Sequence, residues 1–372
     1  MRSFNFISFF LMAFTLILFS NGINAQNILV TGRMTDSGGE GINIFHFNSS
    51  NANISLFSKA DAGPNPSFLC FSKRGNLIYA ANEVSNFKGE RGGGVTTLEY
   101  SEDFSRISKV KEISVPNGSP CYISISPDNK FLFVANYTGG SVTVFKLDNN
   151  GIPEKISDSI NFKSNSGKIS HAHMISYDPA GKNIYLTDFG LDRIMIYKLD
   201  EITGKLISLN ENGIALPSGT GPRHFVFNTD GSKMYVIGES KSTVTVFKVD
   251  EKSGLSLLQT VTTLSETYKG TSYGADIHLG NSGEFLYGSN RGENSIVTFR
   301  VGSNGLLTVA GHTSCGGDWP RNFAIDPSGK YLLVGNQRSG NISILDIDNK
   351  SGLPSNTSGK VDLNSPVCLE FH

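Results

Sequence analysis

The chain has 372 residues, including 41 Gly and 13 Pro; 38% of its residues are hydrophobic and 17% are charged, which is typical of a globular protein and excludes a disordered or collagen-like chain. Because 32 Lys and Arg nearly balance 33 Asp and Glu, the charge gives no reason to expect nucleic acid or an anionic membrane surface as a partner. Four Cys are too few for a disulfide framework in a chain of this length, and they show no CxxC or other metal-ligand spacing, which argues against structural zinc.

Residues 1–25 are predicted to be a secretory signal peptide. Arg2 precedes a mostly apolar run from Phe4 to Phe19, and a small, polar stretch then ends at Ala25, where we expect cleavage. The run is short and contains polar residues, whereas a membrane-spanning helix needs about 20 largely apolar residues, so a retained anchor is the less favoured alternative. We therefore expect a periplasmic or secreted protein that does not contact the membrane once the signal is removed.

Residues 26–372 are predicted to form a single domain, because no Pro-rich linker, charge block or shift in composition marks a boundary. The segment instead contains an internal repeat with a mean step of 50 residues. One copy reads Pro120–Ile125, a Ser-Pro-Asp-Asn turn and Phe131–Asn136, which predicts two strands joined by a tight turn. The seven copies begin at Pro66, Pro120, Ala172, Pro222, Gly274, Pro320 and Pro366.

Alternating runs that follow most of these hairpins predict third strands. They are Gly94–Leu98, Ser141–Phe145, Thr243–Phe247, Ser295–Phe299 and Asn341–Leu345. A second turn, as at Thr203–Leu206, leads to a weaker fourth strand. Four antiparallel strands in each of seven units predict an all-β fold, a seven-bladed β-propeller.

The two ends of the chain predict how the ring closes. The last copy contains a first strand, Pro366–Phe371, and the chain stops at His372 before a second one. Near the other end, Ile28–Gly32 matches a second strand and Gly41–Phe45 a third. We expect N- and C-terminal strands to pair in one blade, which closes the ring and covers its edge strands.

This topology predicts where a functional site lies. The first strand of a blade starts, and the second ends, at the same end of one hairpin, so residues at these positions gather on one face around the axis. The first-strand positions carry Ser67, Cys121, His173, Arg223, Ala275, Arg321 and Val367, and the second-strand positions carry Arg33, Glu83, Tyr137, Phe189, Glu239, Arg291 and Gln337. Such ionisable variety at one end of a repeated array indicates a ligand site. Neighbouring positions add His171, His224, Asp276 and His278.

Several segments also carry a family resemblance. They are Asn82-Glu83, Asn136-Tyr137, His171-Ala172-His173, Gly221–Phe225, Asn290-Arg291-Gly292, Pro320–Phe323 and Thr203–Leu206. In them the chain resembles the lactonase seven-bladed propellers, which include propeller-type 6-phosphogluconolactonases and fungal 3-carboxymuconate lactonising enzymes. The resemblance implies a hydrolase whose partner is a small-molecule lactone or sugar acid, with a muconate-type lactone cyclase as the alternative reaction. We expect no cofactor.

The resemblance also implies roles for particular residues. The muconate enzymes use a His, two Arg and a Glu, and Arg223 and Glu239, 16 residues apart in one predicted hairpin, resemble the Arg–Glu pair of that pattern. His173 or His171, and Arg291 or Arg321, take the remaining roles. In this interpretation Glu239 or His173 activates water, and Arg223 and Arg291 stabilise the negative charge that develops on the substrate. The residues predicted to bind substrate are Glu83, His171, His224, Arg321, Tyr137 and Asp276.

Purely structural interpretations compete with these roles. Glu239 could lock Arg223 in place, and Arg291 and Arg321 could pair with Glu83 or Asp276 to join neighbouring blades. His171 and His173 are separated by a single residue, a spacing that metal sites use. No further ligand is assured, so we expect no metal. Cys121 is interpreted as a small buried filler, and His224 and His278 equally fit satisfied core positions.

A second class of function also remains open. An exported propeller could be a non-catalytic binding module or surface scaffold, whose repeats are usually more uniform than these. The uneven spacing and the ionisable variety at one face favour an enzyme. Because 6-phosphogluconolactone is a cytoplasmic intermediate and this chain has a predicted export signal, we expect an unphosphorylated sugar lactone or another small carboxylated lactone as substrate.

Overall fold

The computed structural model of the chain describes residues 26–36, 41–163, 167–250 and 254–372. The predicted signal peptide, residues 1–25, lies outside the described residues. The described part consists of β-strands joined by turns and short loops. It contains no helix with the length and apolar character needed to span a bilayer.

The strands are four to nine residues long, except for three strands of two residues each. In the first part of the chain they are β1 (Gln26–Arg33), β2 (Ile42–Asn48), β3 (Asn53–Ala60), β4 (Pro66–Phe71), β5 (Leu77–Asn82), β6 (Asn86–Phe87), β7 (Glu90–Arg91), β8 (Gly93–Tyr100), β9 (Ile107–Val115), β10 (Pro120–Ile125), β11 (Phe131–Asn136), β12 (Ser141–Leu147) and β13 (Pro153–Asn161). The middle part contains β14 (Ala172–Tyr177), β15 (Ile184–Asp188), β16 (Arg193–Asp200), β17 (Lys205–Ser208), β18 (Ile214–Ala215), β19 (Pro222–Phe227), β20 (Lys233–Gly238), β21 (Thr243–Val249) and β22 (Leu255–Thr262). The last part contains β23 (Tyr273–Leu279), β24 (Phe285–Arg291), β25 (Ser295–Val301), β26 (Leu307–Ser314), β27 (Pro320–Ile325), β28 (Tyr331–Asn336), β29 (Asn341–Ile347), β30 (Pro354–Asp362) and β31 (Pro366–Phe371).

These strands form the predicted seven-bladed β-propeller. Blade 1 has the strand order β4-β5-β8-β9, and blades 2 to 6 begin with β10, β14, β19, β23 and β27. Blade 3 gains a fifth strand, because β18 also pairs with β16, and β6 and β7 form a separate hairpin inserted between the second and third strands of blade 1. The first strand of each blade lies innermost, as the repeat predicts, although β23 begins at Tyr273, one residue before the predicted start.

The seventh blade is built from both ends of the chain, as predicted. Its order is β3-β2-β1-β31, so the C-terminal strand is innermost and three N-terminal strands complete the sheet. The pairing of β1 with β31 sets Leu29 opposite Phe371 and Thr31 opposite Leu369. Backbone hydrogen bonds between these two strands therefore close the ring.

Apolar clusters between neighbouring blades form the core. There are seven such clusters among the described residues, and each combines side chains from two adjacent blades. In β5, for example, Ile78 and Ala80 pack towards blade 7, whereas Leu77, Tyr79 and Ala81 pack towards blade 2. Alternate residues of one strand thus enter different clusters, because side chains alternate between the two faces of a sheet. Burial on both faces explains why β16 was not among the predicted third strands: its apolar run, from Ile194 to Tyr197, does not alternate.

Buried tyrosines connect some neighbouring blades through specific hydrogen bonds. The hydroxyls of Tyr79, Tyr235 and Tyr287 donate to the carbonyl oxygens of Gly151, Gly305 and Gly352 at 2.7, 3.0 and 2.9 Å. Each acceptor lies in the turn between the third and fourth strands of the following blade and has a φ between 72° and 83°. Glycine suits these turns because it adopts positive φ without steric cost, and the bond satisfies a hydroxyl that burial removes from water.

A register shift near the start of each innermost strand positions the site. In blades 1, 2, 3 and 6, and in blade 7, a single residue falls out of the ladder with the second strand. These residues are Ser67, Cys121, His173, Arg321 and Val367, the positions that the repeat predicted to face the axis. In blades 4 and 5 the ladder is interrupted over two inner residues, Arg223-His224 and Ala275-Asp276, opposite a single residue of the second strand, so the shift is again one residue. Such shifts redirect side chains away from the two sheet faces.

Candidate functional site

A cavity of about 200 Å³ lies at the axis, at the end of the ring where the innermost strands begin. Eight residues line it: Glu83, Cys121, Tyr137, His173, Arg223, Glu239, Arg291 and Arg321. They come from blades 1 to 6 and are brought together by the circular arrangement of the repeats. Seven of the ten residues predicted for the site therefore meet in one cavity, and Cys121, which was interpreted as a filler, joins them.

One side of the cavity contains a buried cluster of two guanidinium groups around Glu239. Its Oε2 lies 3.3 Å from Nε of Arg223 and 2.8 Å from Nη2 of Arg291. The side chains of these two arginines are only 4% and 7% exposed, and that of Glu239 is 18% exposed. Burial lowers the pKa of Arg223 to about 10 and also lowers the pKa of Arg291, but both stay charged near neutral pH.

Backbone carbonyls fix the orientation of these guanidinium groups. Arg223 donates from Nη1 to the carbonyl of Ala275 at 2.5 Å, and Arg291 donates from Nη2 to that of Gly274 at 3.0 Å. Nε of Arg223 has Oε2 of Glu239 as its ion-pair partner at 3.3 Å, whereas the buried Nε–H of Arg291 makes no hydrogen bond within the described part of the chain. An unsatisfied buried donor is costly, so the Arg291 Nε–H is available to an acceptor of a ligand.

The other side of the cavity contains a second, more exposed pair. Nη2 of Arg321 donates to Oε2 of Glu83 at 3.1 Å, and the two side chains are 17% and 19% exposed. The backbone N–H of Glu83 donates to the carbonyl of Asn65 at 2.9 Å, which helps to hold the start of this loop. Arg321 lies in blade 6 and Glu83 in blade 1, so the pair spans the position of blade 7, which supplies none of the eight residues that line the cavity.

His173 lies between these two groups and is buried, with 4% of its surface exposed. Burial, followed by the charges of Arg223, His224, Arg321 and Arg291, holds its pKa well below the usual value. The imidazole is therefore neutral at neutral pH, and a neutral imidazole has one nitrogen that accepts a proton. Its Nδ1 lies 3.9 Å from Sγ of Cys121.

His171 has a different position from His173. It does not line the cavity; its Nδ1 lies 2.9 Å from the carbonyl oxygen of Tyr137, and its ring stacks on the Tyr137 ring with 4.6 Å between centroids. Tyr137 itself lines the cavity, and burial raises its pKa to about 12, so its hydroxyl stays protonated. The sequence left His171 and His173 as alternatives, and the structure places His173 at the cavity and His171 behind Tyr137.

Cys121 lies beside His173. Its Sγ is 3.6 Å from the carbonyl oxygen of Ala172 and 3.4 Å from that of His173, and burial raises the pKa of the thiol. A protonated thiol is a poor nucleophile. Cys121 can therefore shape the cavity wall, and its register position, which matches that of His173 and Arg223, was the sequence signal that it faces the axis.

His224 and Asp276 lie behind Arg223 rather than on the cavity wall. Nδ1 of His224 is 2.7 Å from Oδ1 of Asp276, and Nη1 of Arg223 lies 3.3 Å from both ring nitrogens of His224. The pairing alternatives are resolved as well: Arg321 pairs with Glu83, but Arg291 pairs with Glu239 and not with Glu83 or Asp276. In residues 26–36, 41–163, 167–250 and 254–372, no three His, Cys, Asp or Glu side chains are grouped as a metal site requires.

Comparisons with known proteins agree with this architecture. Residues 28–371 match the family model described as "Lactonase, 7-bladed beta-propeller". A 6-phosphogluconolactonase of Formosa agariphila is 34% identical over 355 residues, which cover 92% of this chain and 99% of the relative. The 6-phosphogluconolactonase of Bacillus subtilis is 27% identical over 349 residues, covering 91% and 97%.

A solved structure gives a similar result. The periplasmic gluconolactonase of Pseudomonas aeruginosa superimposes with a TM-score of 0.87 at 27% identity, over 93% of this chain and 99% of that one. The match to the family model spans nearly all of the described propeller, including the strands that supply the cavity. This chain therefore belongs to the lactonase family of seven-bladed β-propellers.

Proposed function

We propose that the protein hydrolyses a small sugar lactone in the axial cavity. The observation that carries this proposal is the composition of the cavity wall: three guanidinium groups face two carboxylates and one neutral imidazole. The wall thus has a net positive charge and contains one buried donor, the Nε–H of Arg291, that makes no hydrogen bond within the described residues. Such a site suits a substrate that gains negative charge during the reaction and a product that is a carboxylate.

The reaction has a simple balance of atoms. The oxygen of water forms a bond to the lactone carbonyl carbon while one of its protons passes to a base, and the carbonyl oxygen becomes an oxyanion. The bond from that carbon to the ring oxygen then breaks, and the ring oxygen takes up a proton to become a hydroxyl. The resulting carboxylic acid ionises near neutral pH, so each turnover releases one proton.

We assign the role of base to His173. It is neutral, faces the cavity and has an acceptor nitrogen. Glu239, the other candidate, already contacts two guanidinium groups with Oε2, so abstraction of a proton would work against both ion pairs. In this assignment Glu239 orients Arg223 and Arg291, which stabilise the oxyanion, since preorganised cationic donors lower the barrier to forming it.

Arg321 and Glu83 are assigned to substrate binding. Their position across the cavity from Glu239 places a guanidinium and a carboxylate where sugar hydroxyls need hydrogen-bond partners. The hydroxyl of Tyr137 adds a donor that stays protonated. His171, His224 and Asp276, which the sequence also assigned to binding, act in this proposal behind the wall rather than at the substrate.

The size of the cavity supports a small substrate. Its volume of about 200 Å³ is below the roughly 300–1,000 Å³ of pockets that hold drug-sized ligands. The relatives include proteins named for 6-phosphogluconolactone and one named for gluconolactone. We propose an unphosphorylated aldonolactone, because residues 1–25 have the pattern of an export signal and the gluconolactonase of similar structure is periplasmic.

A pH-stat assay tests the proposed function. Purified mature protein, starting at Gln26, is given D-glucono-δ-lactone, D-galactono-γ-lactone and 6-phosphogluconolactone, and proton release is compared with the spontaneous rate. We expect catalysis to be fastest with an unphosphorylated lactone and to be lost in Glu239→Gln. Faster turnover of 6-phosphogluconolactone would contradict the proposed substrate but not the reaction.

Two further outcomes would contradict the reaction itself. Wild-type rates equal to the spontaneous rates for every lactone would favour the non-catalytic binding module. Conversion of a muconate to its lactone, without hydrolysis of any sugar lactone, would favour the cyclase. The proposed export is tested separately, by cell fractionation and N-terminal sequencing, and is contradicted if the cytoplasmic protein retains Met1.

A further inference from the structure

Blades 4 and 5 differ from the others at the start of their innermost strands. In these two adjacent blades the ladder is interrupted over two residues of the innermost strand, Arg223-His224 and Ala275-Asp276, opposite one residue of the second strand, whereas in the other blades a single inner residue is skipped. The second residue of each interruption, His224 or Asp276, is ionisable. These two side chains face each other, with Nδ1 of His224 2.7 Å from Oδ1 of Asp276.

Asp276 is the centre of a buried network that joins several innermost strands. Its carboxylate accepts hydrogen bonds from Nδ1 of His224 at 2.7 Å, Nε2 of His278 at 2.9 Å, Nδ2 of Asn322 at 2.5 Å and the backbone N–H of Phe323 at 3.3 Å. The side chain is 4% exposed. Although burial alone would raise the pKa of Asp276, the charge of His278 and the hydrogen bonds from His224 and His278 hold it well below the usual value.

The network continues to the strand that closes the ring. Oδ1 of Asn322 accepts a hydrogen bond from the backbone N–H of Leu369 at 2.6 Å. Side chains of β19, β23 and β27 and the backbone of β31 are therefore connected through Asp276 and Asn322. All four donors to Asp276 are fixed by innermost strands, so the position of its carboxylate is well determined.

The same network reaches the cavity through Arg223. Burial, followed by the charge of Arg223, lowers the pKa of His224 to about 4, so its imidazole is neutral and donates from Nδ1 to Asp276. The Nη1 atom of Arg223 lies 3.3 Å from both ring nitrogens of His224, against the ring, and donates to the carbonyl of Ala275 at 2.5 Å. Arg223 is thus held by the residue that precedes Asp276 and by the imidazole that Asp276 fixes.

We infer that Asp276 is a positioning residue, which acts through His224 and the Ala275 backbone to fix the Arg223 guanidinium towards the substrate carbonyl. This inference rests on the proposed hydrolysis. Asp276 itself does not touch the substrate, because Arg223 and His224 lie between it and the cavity. Its buried negative charge also favours the charged form of Arg223, because it acts to raise the pKa of that guanidinium.

The first test is the substitution Asp276→Asn in the mature protein. Asparagine keeps the size of the side chain but replaces one oxygen with a donor, so His224 and Asn322 cannot both be satisfied as before. We expect kcat to fall about 100-fold, the effect of a misplacement of about 1 Å in the reacting groups, with a much smaller change in KM. A fall in kcat of less than about threefold would overturn the inference.

His278→Gln is the matched control. His278 also donates to Asp276, but its side chain is 40% exposed and does not line the cavity. Glutamine retains a donor on that side of the carboxylate. We expect kcat within about twofold of the wild type, since this change leaves His224 and Arg223 in place. A loss equal to that of Asp276→Asn would show that the network only maintains the fold, and would overturn the inference.

A double-mutant cycle with Arg223→Lys tests the route. If Asp276 acts through Arg223, Asp276→Asn costs at least about tenfold less in the Arg223→Lys background than in the wild type, because the two residues then act as a unit. Additive losses would exclude this route. If Asp276→Asn does not fold, His224→Phe takes its place in the cycle, since phenylalanine keeps a ring but loses the Nδ1–H donor.

The same cycle separates this inference from the proposed function. A wild-type protein that opens none of the lactones contradicts the proposed function alone, and the cycle is then measured on the affinity for gluconate by calorimetry. Coupling in that affinity supports a positioning role towards a bound carboxylate, and additive losses overturn it. An active wild type with additive losses contradicts the inference while leaving the hydrolysis intact.

Discussion

The two arginine–glutamate groups of the cavity consist of the same types of side chain but differ in how deeply their arginines are buried. Glu239 and Glu83 are almost equally exposed, at 18% and 19%, but the arginines around Glu239 are 4% and 7% exposed whereas Arg321 is 17% exposed. Ion pairs that water reaches are screened and contribute little to stability, whereas a buried guanidinium is strongly destabilised when its charged partner is removed. In the proposed function the Glu239 cluster therefore stabilises the charge that develops in the reaction, and the Glu83 pair contributes to substrate binding.

The largest expected effect belongs to Glu239→Gln. The change removes the negative charge between two buried guanidinium groups, which then repel each other and lose their orientation. We expect lactone opening to fall by about 1,000-fold or more, to the background rate, with the fold retained. Circular dichroism and the pH-stat rate check this prediction. A folded variant with unchanged turnover would show that the cluster around Glu239 is structural.

The next effect is expected for His173→Gln. If His173 is the base, its loss lowers kcat by about 100-fold or more, within the usual contribution of general-base catalysis. Burial and the surrounding arginines lower the pKa of His173, so in the wild type kcat/KM should keep its plateau as pH falls through 6.5 and decline only at lower pH. A decline centred at pH 6.5 or above, or an active His173→Gln variant, would reassign the base.

The same shift has a consequence for stability. Because the folded-state pKa of His173 is below its unfolded value, the unfolded chain takes up a proton near pH 6.5 that the folded chain does not. The stabilisation that comes from burying a neutral His173 is therefore fully present above pH 6.5, and the free energy of unfolding decreases as pH falls below that value. Comparing the denaturation midpoints of the wild type and His173→Gln at pH 7.5 and pH 5.5 checks the sign, and the variant should lose less stability on acidification.

A smaller effect is expected for Glu83→Gln. Arg321 keeps its charge and is partly exposed to solvent, so losing the pair should change the free energy of unfolding by at most about 1 kcal/mol. We expect KM to rise about tenfold or less, with kcat largely retained, because the pair contributes binding that is the same in the ground and transition states. A loss of kcat as large as that of Glu239→Gln would remove the distinction between the two groups.

The smallest effect is expected for Cys121→Ser. The thiol lines the cavity next to His173, but burial raises its pKa, which opposes a role as nucleophile. We expect the kcat of the variant to lie within about threefold of the wild-type value. We also expect the wild-type protein to keep its activity when it is treated with iodoacetamide. Complete inactivation of the Ser variant, or labelling of Cys121 that parallels loss of activity, would instead support a covalent mechanism.

Much of the fold was predictable because the repeat is a local pattern. Six of the seven innermost strands start at the predicted residue, from Pro66 to Pro366, and the closure by both chain ends is as expected. Tight turns and alternating apolar residues depend on near neighbours in sequence, so they can be recognised without the tertiary structure. The inserted hairpin β6–β7 was not predicted, since its strands are two residues each.

The amino-acid pattern was enough to predict which residues share the axial end of the ring, because seven repeats of one strand pattern bring equivalent positions together. The tertiary structure alone decided their depth and partners: that Arg291 pairs with Glu239, that His173 reaches the cavity while His171 stacks behind Tyr137, and that Asp276 lies in a buried network. These outcomes depend on register shifts of one residue and on contacts between blades about 50 residues apart in sequence. No local pattern records such contacts, since burial and charge pairing arise only when the blades pack around the axis.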